Sequence, residues 1–170
     1  VDFSPDGTYF IASCEFSGQL IKFDLITMQV VATMNLEANS SQPQDVRLAS
    51  DGSRFLVADM AANGIWEIDG EKFTVMNFLE SDAGPHGIYP SRDASQMYIS
   101  NRNAGSISVY DVATHTIVKR WKIPGGGSPD MGGVSADGKV LWLAGRTDNV
   151  VYAIDVVNWT LLAKIPVGRG

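Results

Sequence analysis

Short apolar runs, many of them alternating with polar residues, recur along the whole chain and are broken by clusters of Asp, Gly, Ser and Asn. No stretch keeps the i, i+3, i+4, i+7 spacing of an amphipathic helix, so the pattern predicts strands joined by tight turns throughout. The runs group into four copies of one unit. Asp6-Gly7, Asp51-Gly52, Asp93-Ala94 and Asp137-Gly138 lie 45, 42 and 44 residues apart, and each precedes an apolar run. A second Asp follows each pair by 18 residues, at Asp24, Asp69, Asp111 and Asp155, and closes an alternating run. A period in the low forties built from strands and turns is that of a β-propeller blade. The expected fold class is therefore all-β: four four-stranded antiparallel blades, near residues 1–40, 41–82, 83–126 and 127–170. Both ends fall inside the repeat pattern, so the chain is expected to be an internal segment of a longer propeller.

The third copy is the clearest. His86 to Ser91 reads as the inner strand, Met97 to Ser100 as the second, Ser106 to Tyr110 as the third and Thr116 to Ile123 as the outer strand. Asp and Gly recur between them because Asp accepts hydrogen bonds from nearby backbone amides and Gly tolerates positive φ. Gly18, Gly64 and Gly105, with Asn149 in the fourth copy, are expected at one left-handed position before the third strand. Second strands such as Phe55-Leu56-Val57-Ala58 are apolar on consecutive positions, as strands buried on both faces are. Trp66 and Trp142 are expected between blades, and Trp121 and Trp159 in the core.

In the third copy, Tyr98-Ile99-Ser100-Asn101, then Ile107, Val109-Tyr110-Asp111, Thr114, Ile117-Val118 and Ile123-Pro124-Gly125, resembles the YVTN family of β-propeller repeats. The fourth copy is similar at Asp137-Gly138, Ile154-Asp155, Thr160 and Ile165-Pro166-Val167-Gly168. The first two copies depart from it, with Cys14 and Asp59 in the Asn101 column and Gly70 displacing the usual turn. The resemblance implies a seven- or eight-bladed propeller, exported to the periplasm or cell surface, that binds a partner and only in some members catalyses. Its motif is structural and assigns no catalytic residue.

Composition narrows the functional classes. The chain has 170 residues, 45% of them hydrophobic, and a net charge of −6. Lys and Arg form no basic stripe, which argues against a nucleic-acid partner. No apolar run approaches the roughly 18 residues of a membrane helix. Cys14 is the single cysteine, so no internal disulfide can form. The sequence lacks a Gly-x-Ser-x-Gly elbow, a Cys-x-x-Cys pair, a haem-attachment motif and a phosphate-binding loop, and no cofactor is expected. Gly125-Gly126-Gly127 has no following Lys and no helix, and reads as a flexible join.

Candidate chemistry concentrates in two loop columns. In a propeller, the loop entering the inner strand and the loop after the second strand open on one face, around the channel. The first column holds Gln44, His86 and Asp130, each directly after a proline. The second holds Glu15, Met60, Arg102 and Arg146, preceded by Cys14, Asp59, Asn101 and Gly145. His86 could ligate a metal or act as a general base, yet the only other histidine, His115, falls in a turn on the opposite face. Arg102 and Arg146 share a column in adjacent blades and could clamp a carboxylate or phosphate, or pair with Asp130, Asp148 or Glu15 as rim salt bridges. Neither is expected in the core. Asp59 lacks the dense oxygen cluster of a Ca²⁺ site and reads as a turn residue. These residues, His86, Asn101, Arg102, Asp130, Arg146 and Asp59, are the ligand-binding candidates, and no metal site is expected. Two readings follow: a non-catalytic module meeting a protein or small anionic ligand at the channel face, or an exported propeller enzyme or cofactor protein of lactonase, quinoprotein or d1-haem-like type.

Overall fold

Aspartate side chains make the turns that set the strand order. In the first register Asp6, Asp51, Asp93 and Asp137 each accept the backbone N–H two residues on, from Thr8, Ser53, Ser95 and Lys139 at 3.0–3.2 Å. In the second, Asp24, Asp69, Asp111 and Asp155 accept from Thr27, Lys72, Thr114 and Asn158, three residues on. The computed structural model describes residues 1–36 and 40–168; Glu37 to Asn39, in the polar join between the first two repeats, and Arg169 and Gly170 lie outside the described residues.

Sixteen strands result among the described residues. The first sheet is β1 (Asp2–Phe3), β2 (Tyr9–Cys14), β3 (Gln19–Asp24) and β4 (Gln29–Asn35); the second is β5 (Pro43–Leu48), β6 (Phe55–Asp59), β7 (Gly64–Asp69) and β8 (Thr74–Glu80). The third is β9 (Pro85–Pro90), β10 (Gln96–Asn101), β11 (Ser106–Asp111) and β12 (Thr116–Lys122); the fourth is β13 (Pro129–Val134), β14 (Val140–Gly145), β15 (Val150–Asp155) and β16 (Thr160–Pro166). Each sheet is an antiparallel meander whose spatial order follows the chain. Among the described residues the one helical element is a single 3-10 turn, Glu15–Ser17. The fold is the expected all-β propeller architecture of four four-stranded blades.

One apolar cluster fills each seam between neighbouring blades. Ile11 and Leu20 meet Phe55, Val57 and Ile68 between the first and second. Leu56, Ala58 and Ile65 meet Met97, Ile99 and Tyr110 between the second and third. Tyr98, Ile107 and Val109 meet Leu141, Leu143, Tyr152 and Ile154 between the third and fourth. Strand β6 thus sends Phe55 and Val57 one way and Leu56 and Ala58 the other, which is why its sequence is apolar without alternation. Burial of this kind contributes roughly 25 cal/mol per Å² of apolar surface, so the seams, more than any turn, hold the blades in place.

One expectation is corrected. The left-handed position before the third strand is held by Gly18, Asn63, Gly105 and Asn149, at φ of 66°, 58°, 63° and 52°. Gly64 is not left-handed; it is small because a Cβ there would stand 2.1 Å from the Phe78 ring. Trp142 occupies the Tyr98 column, a seam position, on the fourth blade and is 41% exposed on the face turned away from the third.

Two repeated irregularities shape the blades further. Val31, Met76, Val118 and Leu162 are extra residues in the outer strands, one per blade, each at the same register shift. All four are exposed, and such bulges bend an edge strand away from pairing with another chain. The residue four places after each second-register Asp is left-handed although bulky: Met28, Phe73, His115 and Trp159 have φ between 52° and 57°. That conformation costs about 1–2 kcal/mol for an L-residue. Phe73 and Trp159 offset the cost by packing into the seam with the preceding blade.

Candidate functional site

A second bulge, in the inner strands, builds the site. Between Pro43 and Val46, two residues of β5 face one of β6, and the same count recurs between β9 and β10 and between β13 and β14. The surplus lies at Gln44-Asp45, His86-Gly87 and Asp130-Met131, directly after a proline that begins the strand without needing a ladder donor. A bulge re-aims its side chains, and here it turns one residue column of each blade toward the loop after the second strand. That loop is tied down in the same way three times: the N–H groups of Met60, Arg102 and Arg146 donate to the carbonyls of Gln42, Gly84 and Ser128. The two columns read from the sequence as one face are therefore brought together by backbone geometry.

Neighbouring blades then fix the inner strands to each other. The carbonyl of Asp130 accepts from the Ser100 hydroxyl at 2.8 Å and from the Tyr89 hydroxyl at 3.0 Å, both buried and both from the third blade. Burial pushes the Tyr89 phenol up to about 12, so it stays a donor. The Ser13 hydroxyl donates to the Gln44 carbonyl in the equivalent place. One seam earlier than Asp130, Asp45 accepts the Ile88 N–H at 3.1 Å while Arg47 Nε donates to the Ile88 carbonyl at 3.3 Å and contacts Asp45 at 3.2 Å. Asp45 and Arg47 thus satisfy the Ile88 amide and carbonyl on the edge of β9 that is not paired with β10. Sequence reasoning passed over both, because nothing local marks a side chain that caps the backbone of the next blade.

Four of the six candidates converge on one carboxylate. Arg102 donates through Nε at 3.2 Å and Nη2 at 2.7 Å to Asp130 Oδ1, and its Nη1 lies 3.6 Å from Met60 Sδ. Arg146 Nη1 reaches Asp130 Oδ2 from the other side at 3.5 Å. His86 Nδ1 lies 2.9 Å from Asp130 Oδ1, yet the ring is not aligned for a hydrogen bond, and the buried Nδ1 has no hydrogen-bond partner. Burial pushes His86 below the usual histidine value; the Asp130 carboxylate opposes this, and Arg102 reinforces it. The Arg102 side chain is only 14% exposed, whereas that of Arg146 is 59% exposed. Arg102 is therefore a seam residue, contrary to the expectation that it stands outside the core: a guanidinium paired through two of its nitrogens to a carboxylate can be buried where a lone charge cannot.

The other two candidates are turned inward. Asp59, fully buried, accepts from the N–H groups of Gln42, Ala61 and Ala62 and from Trp66 Nε1, and so ties the loop to the inner strand. Asn101, also fully buried, donates to the hydroxyls of Ser106 and Ser108. Neither opens on the face where Asp130, His86 and the arginines meet. His115 lies in its turn on the other side of the blade, with Nδ1 at 2.9 Å from the Tyr110 hydroxyl. Among the described residues, no group of three or more His, Cys, Asp or Glu side chains is placed to hold a metal ion.

Comparison with known proteins bears on this architecture. The family model described as YNCE-like beta-propeller matches residues 11–170. The chain belongs to this propeller family. It is 25% identical over 130 residues to the uncharacterized protein YncE of Salmonella typhi, and equally so to that of Salmonella typhimurium. That alignment takes in 75% of the chain but 36% of each relative, so the chain spans about a third of the length of these propellers. Among solved structures it is similar to Kuenenia stuttgartiensis hydrazine synthase, with a TM-score of 0.83 at 21% identity over 96% of this chain and 47% of that one. It is also similar to a catalytically inactive histidine-to-alanine variant of virginiamycin B lyase from Staphylococcus aureus with quinupristin, with a TM-score of 0.81 at 15% identity over 99% of this chain and 55% of that one. At these identities the two structures speak to the fold alone. No helix among the described residues is long and apolar enough to cross a membrane.

Proposed function

We propose that the chain is the non-catalytic, ligand-binding part of a YVTN-like propeller, and that its channel face takes a small anionic ligand through Arg146, with Arg102 behind it. One observation carries this reading: two guanidinium groups from adjacent blades approach a single carboxylate from opposite sides, and one of them is mostly exposed. Asp130 satisfies Arg102 but leaves Arg146 with one long contact, so the fork of Arg146 keeps donors for an incoming oxyanion. With Asp45 and Arg47 counted, three arginines face two carboxylates here, a local positive excess on a chain of net charge −6. The repeat units remain those near residues 1–40, 41–82, 83–126 and 127–170, within a propeller of seven or eight blades acting in the periplasm or at the cell surface; full-length gene product recovered only in the cytoplasm would remove that location.

Titration calorimetry with sulfate and with acetate tests the binding reading. Arg146→Ala is expected to cost roughly 1.5–3 kcal/mol of binding, the range for a hydrogen bond to a charged group, with an unchanged circular dichroism spectrum because the side chain is exposed. Equal affinity in the variant, or no binding by the parent protein, would sink it. A second reading rests on the buried, unpartnered Nδ1 of His86 beside Asp130, an arrangement suited to proton transfer in a propeller enzyme. The named lyase, inactive when a histidine is replaced, is a precedent for the fold only. Turnover that disappears in His86→Ala would favour this alternative.

A further inference from the structure

The binding reading leaves His86 without a role, although it stands closer to the shared carboxylate than Arg146 does. We propose that anion binding at Arg146, with Arg102 behind it, takes up one proton at His86, whose imidazolium then replaces the contact that Arg146 gives up on Asp130. This rests on the anion reading and adds a charge balance to it.

The geometry supports the exchange. Asp130 Oδ1 already has His86 Nδ1 at 2.9 Å, so a small ring rotation, with no translation, would convert the contact into a charge-assisted hydrogen bond. In the empty site that bond is not made, and Nδ1 is a buried atom with no partner. A neutral imidazole presents either a lone pair to a carboxylate, which is repulsive, or a misaligned N–H. Protonation fixes the ring's role, since both nitrogens then donate.

Electrostatics sets the direction. The charged groups facing His86 are Asp130 and Arg146 of the fourth blade, Arg102 of its own, and Asp45 of the second with Arg47 paired to it. In the empty site burial disfavours the imidazolium, and Arg102 and Arg146 add to this while Asp130 and Asp45 oppose it. A bound anion cancels the two arginines and contributes negative charge of its own, so the proton affinity of His86 must rise. By reciprocity the proton must then tighten the anion by the same factor. The sign is fixed: affinity is weakest above the bound-state pKa of His86, strengthens as pH falls toward its empty-state pKa, and levels off below.

Sulfate is the probe, because it stays a dianion throughout the window in which histidine titrates. Its affinity is expected to tighten about tenfold between pH 8 and pH 5, the equivalent of a pKa shift of about one unit. The chain has only two histidines, so proton NMR of their ring hydrogens follows each titration with and without sulfate. The His86 midpoint should move upward in sulfate while that of His115, across the blade, stays fixed. His86→Gln should abolish proton uptake, read as the difference in binding heat between buffers of unlike ionisation enthalpy, and His115→Gln should leave it in place. Sulfate binding with an unmoved His86 midpoint overturns the proton linkage and leaves the anion site standing. No sulfate binding at any pH overturns both.

Discussion

Replacing Tyr110 with Phe removes one oxygen from the seam between the second and third blades, and the structure says what that oxygen does. Glu67, 1% exposed, would be a buried unpaired carboxylate but for two donors: Arg54 Nη1 at 3.2 Å and the Tyr110 hydroxyl at 2.7 Å. Burial, and then the Glu67 carboxylate, push the Tyr110 phenol above its usual value, so it remains a donor at every pH at which the protein is folded. The same oxygen also shares a hydrogen bond with His115 Nδ1 at 2.9 Å in the half-buried turn. Tyr110→Phe should therefore lose one hydrogen bond to a charged group, about 1.5–3 kcal/mol. For a chain of this size that corresponds to a fall in Tm of about 2–4 °C per kcal/mol. Arg54→Ala takes the one cation that, among the described residues, pairs with the same carboxylate and should cost more, about 3–5 kcal/mol. The decisive measurement is a double-mutant cycle by urea unfolding. In a Glu67→Gln background the bond from Tyr110 becomes neutral, and Tyr110→Phe should cost only about 0.5–1.5 kcal/mol. Equal costs in the two backgrounds, or a cost below about 0.5 kcal/mol in the parent, the level of ordinary surface substitutions, would refute the claim that the Tyr110 hydroxyl stabilises the buried Glu67 side chain.

Two further outcomes follow from backbone and turn geometry. Gly105→Ala should destabilise by at least about 1–2 kcal/mol for the left-handed conformation alone, because φ is +63° and a Cβ would stand 2.8 Å from the Gly127 carbonyl. Gly133→Ala, where a Cβ meets nothing within 4 Å, should stay within about 0.5 kcal/mol, and equal effects in urea unfolding would contradict this reading. Acid should unfold the protein through its turns: the hydroxyls of Ser4, Ser91 and Ser135 hold the Asp6, Asp93 and Asp137 carboxyls below the usual value. A depressed folded pKa gives stability that is present above the unfolded value of about 3.9 and lost as pH falls through the folded ones. The turn carboxylates should thus contribute steadily from pH 7 to 5 and lose their contribution below about 4; the lowered His86 value adds a separate loss as pH falls below about 6.5, so the test uses His86→Gln, in which a decline starting at pH 6 would contradict the carboxylate reading.

How much of this was legible in the sequence depends on how far each interaction reaches. Asp6 and Asp24 were readable because an aspartate that bonds the amide two or three residues on leaves its signature within one turn. The paired registers then carry the strand order, since only strands and turns fit between them. Gly64 misled because a glycine next to a turn suggests positive φ, whereas counting from Asp51 leads to Asn63 and leaves Gly64 to make room for Phe78. Phe73 and Trp159 were unreadable as left-handed residues, since their conformation is stabilised by a seam that no local pattern shows. The site divides along the same line. That His86, Arg102, Asp130 and Arg146 share a face could be read from their columns. Asp45 and Arg47 could not, and neither could the burial of Arg102, because each depends on the adjoining blade.

The same division accounts for where variation is tolerated. The second, third and fourth blades repeat the carbonyl contacts that dock the second loop to the segment entering the inner strand, and these use backbone atoms, so side chains at Met60, Arg102 and Arg146 can differ without loosening the loop. The bulge after Pro43, Pro85 and Pro129 likewise depends on register alone, which frees Gln44, His86 and Asp130 to differ. A repeat fold that holds its loops by main-chain hydrogen bonds can therefore change the chemistry of its inner face one blade at a time. In this chain that freedom places a carboxylate on the fourth blade opposite a guanidinium on the third, with a second guanidinium one loop away. Asp130 is the pivot: its backbone is fixed by Ser100 and Tyr89 and its carboxylate by Arg102, so the only loosely held charge on this group is Arg146.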